Sequence, residues 1–305
     1  MKLLRLVPQN TSLEFFKLRH IFFPISALLS LLSLAAFFTW GVNLGIDFRG
    51  GTLLEIQSKT KSADLGDLRL QLQSLPFGTP EVQAFGDSGK DVSLRFESQP
   101  ESEGAQETLI AQVQNMLKED YEIRRIESVG PRISSELVYY GTLGCVLALL
   151  GVLLYLWLRF EGALAVGAII ATLHDLLLTL GFFALTQLEF NMTSIAAVLT
   201  IIGYSLNDTV VVFDRIRELM KQFRKMPYGD LLDRAINSTL SRTLMTSVTT
   251  GLAVGALVLF GGEVIRGFSW AMLFGILVGT YSSIFIASPV LFYLGAHLEK
   301  PTLPS

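Results

Sequence analysis

Apolar and charged positions segregate sharply along this chain. Six apolar runs occupy residues 21–42, 137–158, 162–186, 192–213, 236–260 and 268–294, with Arg159-Phe160-Glu161 separating the second from the third. Each is near the ~20 residues a helix needs to cross a hydrocarbon core of roughly 30 Å. Between the first and second runs the pattern changes to short alternating and helix-periodic stretches, as in a water-facing fold. The expected organisation is therefore an N-terminal segment (1–20), a first transmembrane helix (21–42) and a soluble domain (43–133). A five-helix remainder (134–294) with a basic loop near 214–235 follows, and then a short tail (295–305).

The insert reads as a small α+β domain. Residues 46–57 predict a strand with Thr52, Leu54 and Ile56 on one face. Residues 62–75 predict a helix capped by Ser62, with Leu65, Leu68 and Leu72 at helical spacing. Residues 80–85 and 91–96 predict two strands joined by the turn Gly86-Asp87-Ser88-Gly89. Residues 103–119 predict a helix with the stripe Leu109, Ile110, Val113, Met116 and Leu117, and 121–129 a last strand. The order β-α-β-β-α-β suggests a ferredoxin-like split βαβ unit. That architecture hosts unrelated functions and decides none of them.

Composition agrees with a membrane protein carrying one soluble insert. Hydrophobic residues make up 50% and charged residues 17%, against roughly 25% charged in ordinary soluble domains. Mean hydropathy is +0.49. Residues 47–132 hold 15 acids and 10 bases, leaving 12 acids and 14 bases for all other positions. The first apolar run is longer than a signal-peptide core and lacks a small-residue cleavage site, so it reads as an uncleaved anchor. One cysteine, Cys145, and three scattered histidines give no basis for a disulfide framework or a metal site. A net charge of -3 gives no argument for nucleic acid.

Lysine and arginine in the short flanks set an orientation. Lys2, Arg5, Lys17 and Arg19 precede the first run, and Arg215, Arg217, Lys221, Arg224, Lys225 and Arg234 follow the fourth. The turns after the third and fifth runs are nearly bare, with Arg266 beside Glu263. Both termini are expected in the cytosol and the insert outside, which in a bacterial cell is the periplasm.

No catalytic constellation emerges, and the chain is not expected to be an enzyme. Gly50-Gly51-Thr52 lacks the Gly-Lys-Ser/Thr of a phosphate loop and reads instead as a bend entering the first strand. The informative residues are ionisable groups inside apolar runs, which cost about 2.5–3.5 kcal/mol at mid-span and so face a partner or water. Asp208 sits within Ile201–Phe213, and Arg242 one or two turns into the fifth run. Counting ~1.5 Å per residue places the two at similar depths in the cytosolic half. Asn207 and Ser205 are candidate supporting polar residues, as are His174 and Asp175 in the third run. Bland readings stand beside these. Arg242 can snorkel to the interface, Asp208 and Arg242 can form a purely structural clasp, and His174 can simply be the local partner of Asp175. Gly251-x-x-x-Gly255 and Gly275-x-x-x-Gly279 are expected to let helices approach closely.

Several stretches resemble one family. Gly45-Ile46-Asp47-Phe48-Arg49-Gly50-Gly51-Thr52 and Gly130-Pro131-Arg132-Ile133-Ser134 are similar to segments that flank the external domain in the SecD/SecF protein-export family. Ile202 through Glu218, Asn237-Ser238-Thr239-Leu240-Ser241-Arg242-Thr243, and Phe260-Gly261-Gly262 followed by Gly267-Phe268-Ser269 resemble its other signatures. The resemblance covers nearly the whole chain in order and spacing. It implies the resistance-nodulation-division superfamily, in which two pseudosymmetric six-helix halves pair. It further implies a separate SecD chain as partner and a place beside the SecYEG channel, where SecA drives preproteins inward to the channel and proton flow helps draw them out. Asp208 and Arg242 match the family's functional intramembrane pair, with the proton gradient as energy source and no cofactor. Two alternatives stay open: a proton-driven small-molecule or lipid exporter half of the same superfamily, and a non-conducting assembly subunit.

Overall fold

The computed structural model describes residues 11–59, 62–85, 88–97, 104–160 and 162–295. Along the chain run α1 (Arg19–Thr39), α2 (Ile46–Arg49), β1 (Gly51–Ser58), α3 (Leu65–Leu72), β2 (Glu81–Phe85), β3 (Asp91–Phe96) and α4 (Ala105–Leu117). Then come β4 (Tyr121–Val129), α5 (Pro131–Arg159), α6 (Ala163–Thr186), α7 (Met192–Gln222), α8 (Tyr228–Phe260), α9 (Arg266–Ser282) and α10 (Ser288–Tyr293). A π-helical turn, Ser283–Ala287, joins the last two. The chain divides into two compact units, residues 44–143 and the remainder.

Among the described residues six helical segments are long and apolar enough to cross a membrane. α7 packs along α9, α6 lies against α1, α7 and α9, and α8 touches α7 and α9. Small residues on α6, among them Ala165, Gly167, Ala168 and Ala171, are buried and let its neighbours approach. α7 begins at a capping box in which the Asn191 side chain accepts from Ser194 N–H and Ser194 Oγ accepts from Asn191 N–H.

The helices outrun the apolar stretches that announce them. α7 continues past Phe213 to Gln222 and α8 already starts at Tyr228, so most of the segment 214–235, expected as a loop, is helix. The physical reason is amphipathicity. Ile216 and Leu219 of α7 and Leu231, Leu232 and Ala235 of α8 are buried at helical spacing, while the basic residues between them dilute the average hydropathy. Asp214, the first residue beyond the fourth apolar run, sits inside α7 and accepts from Arg159 Nη2 at 2.7 and 2.5 Å. The chain before α1 is fastened to α8 as well. Leu13 N–H donates to Asn237 Oδ1 at 3.0 Å, Asn237 Nδ2 to Leu13 O at 2.8 Å, and Phe16 N–H to Asp233 Oδ1 at 2.7 Å.

The smaller unit is a four-stranded sheet in the order β2-β3-β1-β4, antiparallel at every junction. With α3 and α4 in the connections, this is the split β-α-β arrangement. Leu54 pairs with Leu94 and Ile56 with Val92 across β1 and β3. These side chains are buried with Leu68 and Leu72 of α3 and Leu109, Val113 and Leu117 of α4. Ile110 is only partly covered and Met116 is exposed, so the α4 stripe is narrower than its sequence suggests.

Two local expectations are corrected. The strand does not start at Ile46, because residues 46–49 form a helical turn, and Gly50 and Gly51 turn the chain into β1 with φ of 71° and 116°. α3 is capped by Asp64, whose carboxylate accepts from Gly66 and Asp67 N–H, rather than by Ser62. The turn at 86–89 lies partly outside the described residues, as do Glu103, Glu161 and the segments 1–10 and 296–305.

Candidate functional site

α7 carries Ser205 and Asp208 one turn apart into the interior of the larger unit, each 2% exposed. Buried apolar residues on either side, Ile201, Ile202, Leu206 and Val212, hold the helix in that orientation. Asp208 Oδ2 is buried and, among the described residues, has no hydrogen-bond partner. Across the α7–α8 interface two side chains of α8 act on this carboxylate, Arg242 through its charge and Thr246 through its hydroxyl.

Both ionisable residues stand fourteen positions from their ends of the α7–α8 connection. At ~1.5 Å per residue that is about 21 Å along either axis, so antiparallel packing sets them at matching depth. Among the described residues Asp208 and Arg242 do not come within the 4.0 Å of an ion pair. Asp208 is inside the unit, whereas Arg242 lies on an exposed face of α8. The expected clasp is thus a through-space pairing in this structure and not a direct salt bridge. Asn207 points away from it and is exposed.

The other expected polar residues assemble one turn away. Asp175 of α6 is fully buried. Its Oδ1 meets His174 Nδ1 at 2.9 Å, and its Oδ2 accepts from Ser282 Oγ of α9 at 2.7 Å and from Ser205 Oγ of α7. His174 Nε2 is buried and, among the described residues, has no hydrogen-bond partner. A second polar seam joins α7, α8 and α9, where Tyr204 Oη donates to Ser247 Oγ at 3.2 Å and Ser247 Oγ meets Thr280 Oγ1 at 2.6 Å.

Sequence reasoning missed Thr246 and Ser282. Thr246 lies one turn beyond Arg242 and was findable from that spacing. Ser282 was not, since nothing in a serine at the end of an apolar run announces a carboxylate 107 residues away. Among the described residues no three His, Cys, Asp or Glu side chains group closely enough to hold a metal ion.

The glycine pairs behave differently from each other. A Cβ at Gly275 would press on Ile201 Cδ1 at 2.6 Å, and one at Gly279 would meet Ser205 Cβ at 3.0 Å, so α7 and α9 approach closely beside Asp175. Among the described residues a Cβ at Gly251 or Gly255 would meet nothing within 4 Å.

Comparison with known proteins places these features in one lineage. Residues 108–297 match the family described as protein export membrane protein SecD/SecF, C-terminal, and residues 35–61 match the SecD/SecF GG motif. Protein translocase subunit SecF of Cereibacter sphaeroides is 41% identical over 98% of this chain and 94% of its own. The SecF subunit of Rickettsia bellii is 42% identical over 94% and 95%. Protein translocase subunit SecDF of Brucella abortus is 41% identical over 96% of this chain, which spans 38% of that longer protein. The crystal structure of the translocon-associated membrane protein SecDF from Thermus thermophilus superposes with a TM-score of 0.84 at 32% identity, covering 94% of this chain and 39% of that one. With matches to both the motif at the head of the soluble unit and the helices that follow it, the chain belongs to the SecD/SecF family of protein-export membrane proteins.

Proposed function

We propose that this chain acts as the SecF-type half of a protein translocase accessory complex and that Asp208 is the group through which a proton gradient drives it. The observation that carries the reading is the open Asp208 Oδ2, a carboxyl oxygen buried in a membrane-length helix opposite an arginine that is near but not bonded. An unsatisfied buried acceptor costs about 1–3 kcal/mol, and a proton or a water relieves that cost. Ionised, Asp208 is attracted to Arg242 across the α7–α8 interface. Protonated, it loses that attraction, and the packing of the two helices can respond. A proton that arrives from outside and leaves to the cytosol takes the interface once through both states.

The partner is a SecD-type chain. The Brucella and Thermus relatives carry SecD and SecF in one name, and this chain spans 38% and 39% of them. Being named protein translocases, these relatives favour a polypeptide cargo over a small molecule. We place the complex in the bacterial inner membrane beside SecYEG, acting on preproteins after SecA has delivered them, with the soluble unit in the periplasm. The charges support that orientation, with Arg215, Arg217, Lys221, Arg224 and Lys225 gathered around the α7–α8 connection.

The experiment is preprotein release from membrane vesicles containing this chain, its SecD-type partner and the channel, with and without a proton gradient. Asp208→Asn keeps the side-chain volume and removes the titration. It should insert, bind its partner and lose all gradient-dependent release. Normal gradient-dependent release per folded molecule in that variant would sink the proposal.

A further inference from the structure

The buried carboxylate of Asp175 has no part in the mechanism above, yet it is bonded by three side chains on three helices. It stands twelve residues into α6, about 18 Å along the axis at ~1.5 Å per residue, well away from either end. Among the described residues neither lysine nor arginine pairs with it. Its ligands are His174 Nδ1 on its own helix, Ser282 Oγ on α9 and Ser205 Oγ on α7. One carboxylate therefore ties three helices together at a single point.

The position of that point matters more than its strength. Ser205 and Asp208 are three residues apart on the same face of α7, a separation of about 4.5 Å along the axis. Whatever fixes the rotation of α7 at Ser205 also fixes where the Asp208 carboxylate faces. The close approach of α9 at Gly279, where a Cβ would lie 3.0 Å from Ser205 Cβ, leaves little freedom to re-seat the helix. On the α9 side, the other donor, Ser282, immediately precedes the π turn Ser283–Ala287. A π turn fits an extra residue into one turn and so re-aims everything after it.

We infer that Asp175 is the positioning carboxylate of the proton site: through Ser205 it sets the rotation of α7 and thereby presents Asp208 to Arg242 and Thr246 of α8. The inference rests on the reading of Asp208 as the proton carrier. The titratable groups around the two carboxylates are His174 from α6, Tyr281 from α9 and Arg242 from α8. α1 contributes Ser26, whose Oγ meets the Tyr281 hydroxyl at 2.6 Å, and Tyr281 Oη also lies 3.1 Å from Phe22 O as a donor. Tyr281 is thereby held by α1, with its ring centroid 6.3 Å from that of His174.

The test measures gradient-driven preprotein release per folded molecule across pH, in vesicles with the SecD-type partner, for Asp175→Asn, Ser205→Ala, Ser282→Ala and Asp208→Asn. Asp175→Asn and Ser205→Ala should each lower release by about tenfold or more, the scale of loss when a reacting group is misplaced by less than ~1 Å. Both should also displace the pH profile. Ser282→Ala leaves the α7 tie in place and should displace the profile less than Ser205→Ala does. Ser205→Ala removes a single oxygen, so its folded yield keeps the test open if Asp175→Asn fails to accumulate. Lower thermal stability with an unchanged pH profile in both Asp175→Asn and Ser205→Ala would overturn the inference, because a merely structural tie predicts that result. The two claims fail separately. Normal release in Asp208→Asn removes the proton carrier itself, whereas a dead Asp208→Asn beside a normal Asp175→Asn removes only the positioning role.

Discussion

The helices of the larger unit fall into two groups that differ in what they meet. In α6, α7 and the α9–α10 segment, 56%, 50% and 67% of the most apolar stretch is buried, whereas in α1, α5 and α8 the shares are 17%, 6% and 11%. Two of the outer helices, α1 and α5, are nonetheless the most apolar of the six. A water-soluble protein shows the reverse, with its oiliest segments at the centre. The difference teaches what a membrane does to the rule of burial. Where lipid is the solvent there is no hydrophobic force to bring helices together, so the interior is built from small residues and hydrogen bonds. Gly275, Gly279, Ser205, Ser282 and Asp175 all belong to the inner group. The outer helices present Leu147, Leu154, Trp157 and Leu158 instead.

The strongest way to break this comparison is to treat an inner glycine as if it faced lipid. Gly275→Leu would drive a side chain into Ile201, whose Cδ1 and Cγ2 already lie 2.6 and 2.7 Å from an added Cβ. Overpacking of this kind costs about 1–3 kcal/mol or more, and here it separates α7 from α9 at the polar node. The folded yield in detergent and the melting temperature should both collapse. Retention of wild-type stability would mean that the two helices are not held in close contact.

A smaller effect is expected in the soluble unit, where the ordinary rule of burial returns. Leu54 is fully buried in the sheet core, while Ile126 of β4 is 38% exposed. Leu54→Ala should destabilise the unit by about 2–5 kcal/mol, read by chemical or thermal unfolding. Ile126→Ala should cost well under that. Equal costs at both positions would show that the core extends across to β4 at Ile126, the register partner of Leu54.

How far these features were legible in the sequence follows the same division. The six spans could be read from apolar runs because lipid-facing and lipid-crossing surfaces both demand them. The extensions of α7 and α8 around their connection could not, because half their residues face away from the bundle and hydropathy averages over both halves. The strands and helices of the insert were readable from periodicity, but the turn at residues 46–49 was not, since a single turn followed by two glycines has no period. Asp208 and Arg242 stood out because a charge amid apolar residues is costly wherever it lies. The environment of Asp175 was hidden, because its serine donors on α7 and α9 are residues that apolar helices tolerate without penalty. Gly251-x-x-x-Gly255 and Gly275-x-x-x-Gly279 read alike and differ only in which helix faces them.

The smallest effect on the chain itself is expected at that unused glycine pair, and it bears on what covers the outer surface of α8. Arg242, Met245, Thr249 and Leu252 recur at helical spacing and are all exposed. An arginine at this depth facing lipid costs about 2.5–3.5 kcal/mol, so the stripe is better covered by protein than by acyl chains. Gly251 and Gly255 lie beside it with open space around them, which is the surface another helix can approach. Gly251→Leu should therefore leave the folded chain within about 0.5 kcal/mol of wild type, as substitutions that touch nothing do. Retention of the SecD-type subunit through purification in mild detergent should fall severalfold, because the new side chain holds the incoming helix away. Leu173→Ala, at a position 39% exposed on α6, controls for a general loss of outer-surface packing and should leave retention unchanged. Undiminished retention in Gly251→Leu would mean that lipid covers this face, and the arginine would then have to reach water along α8 by itself.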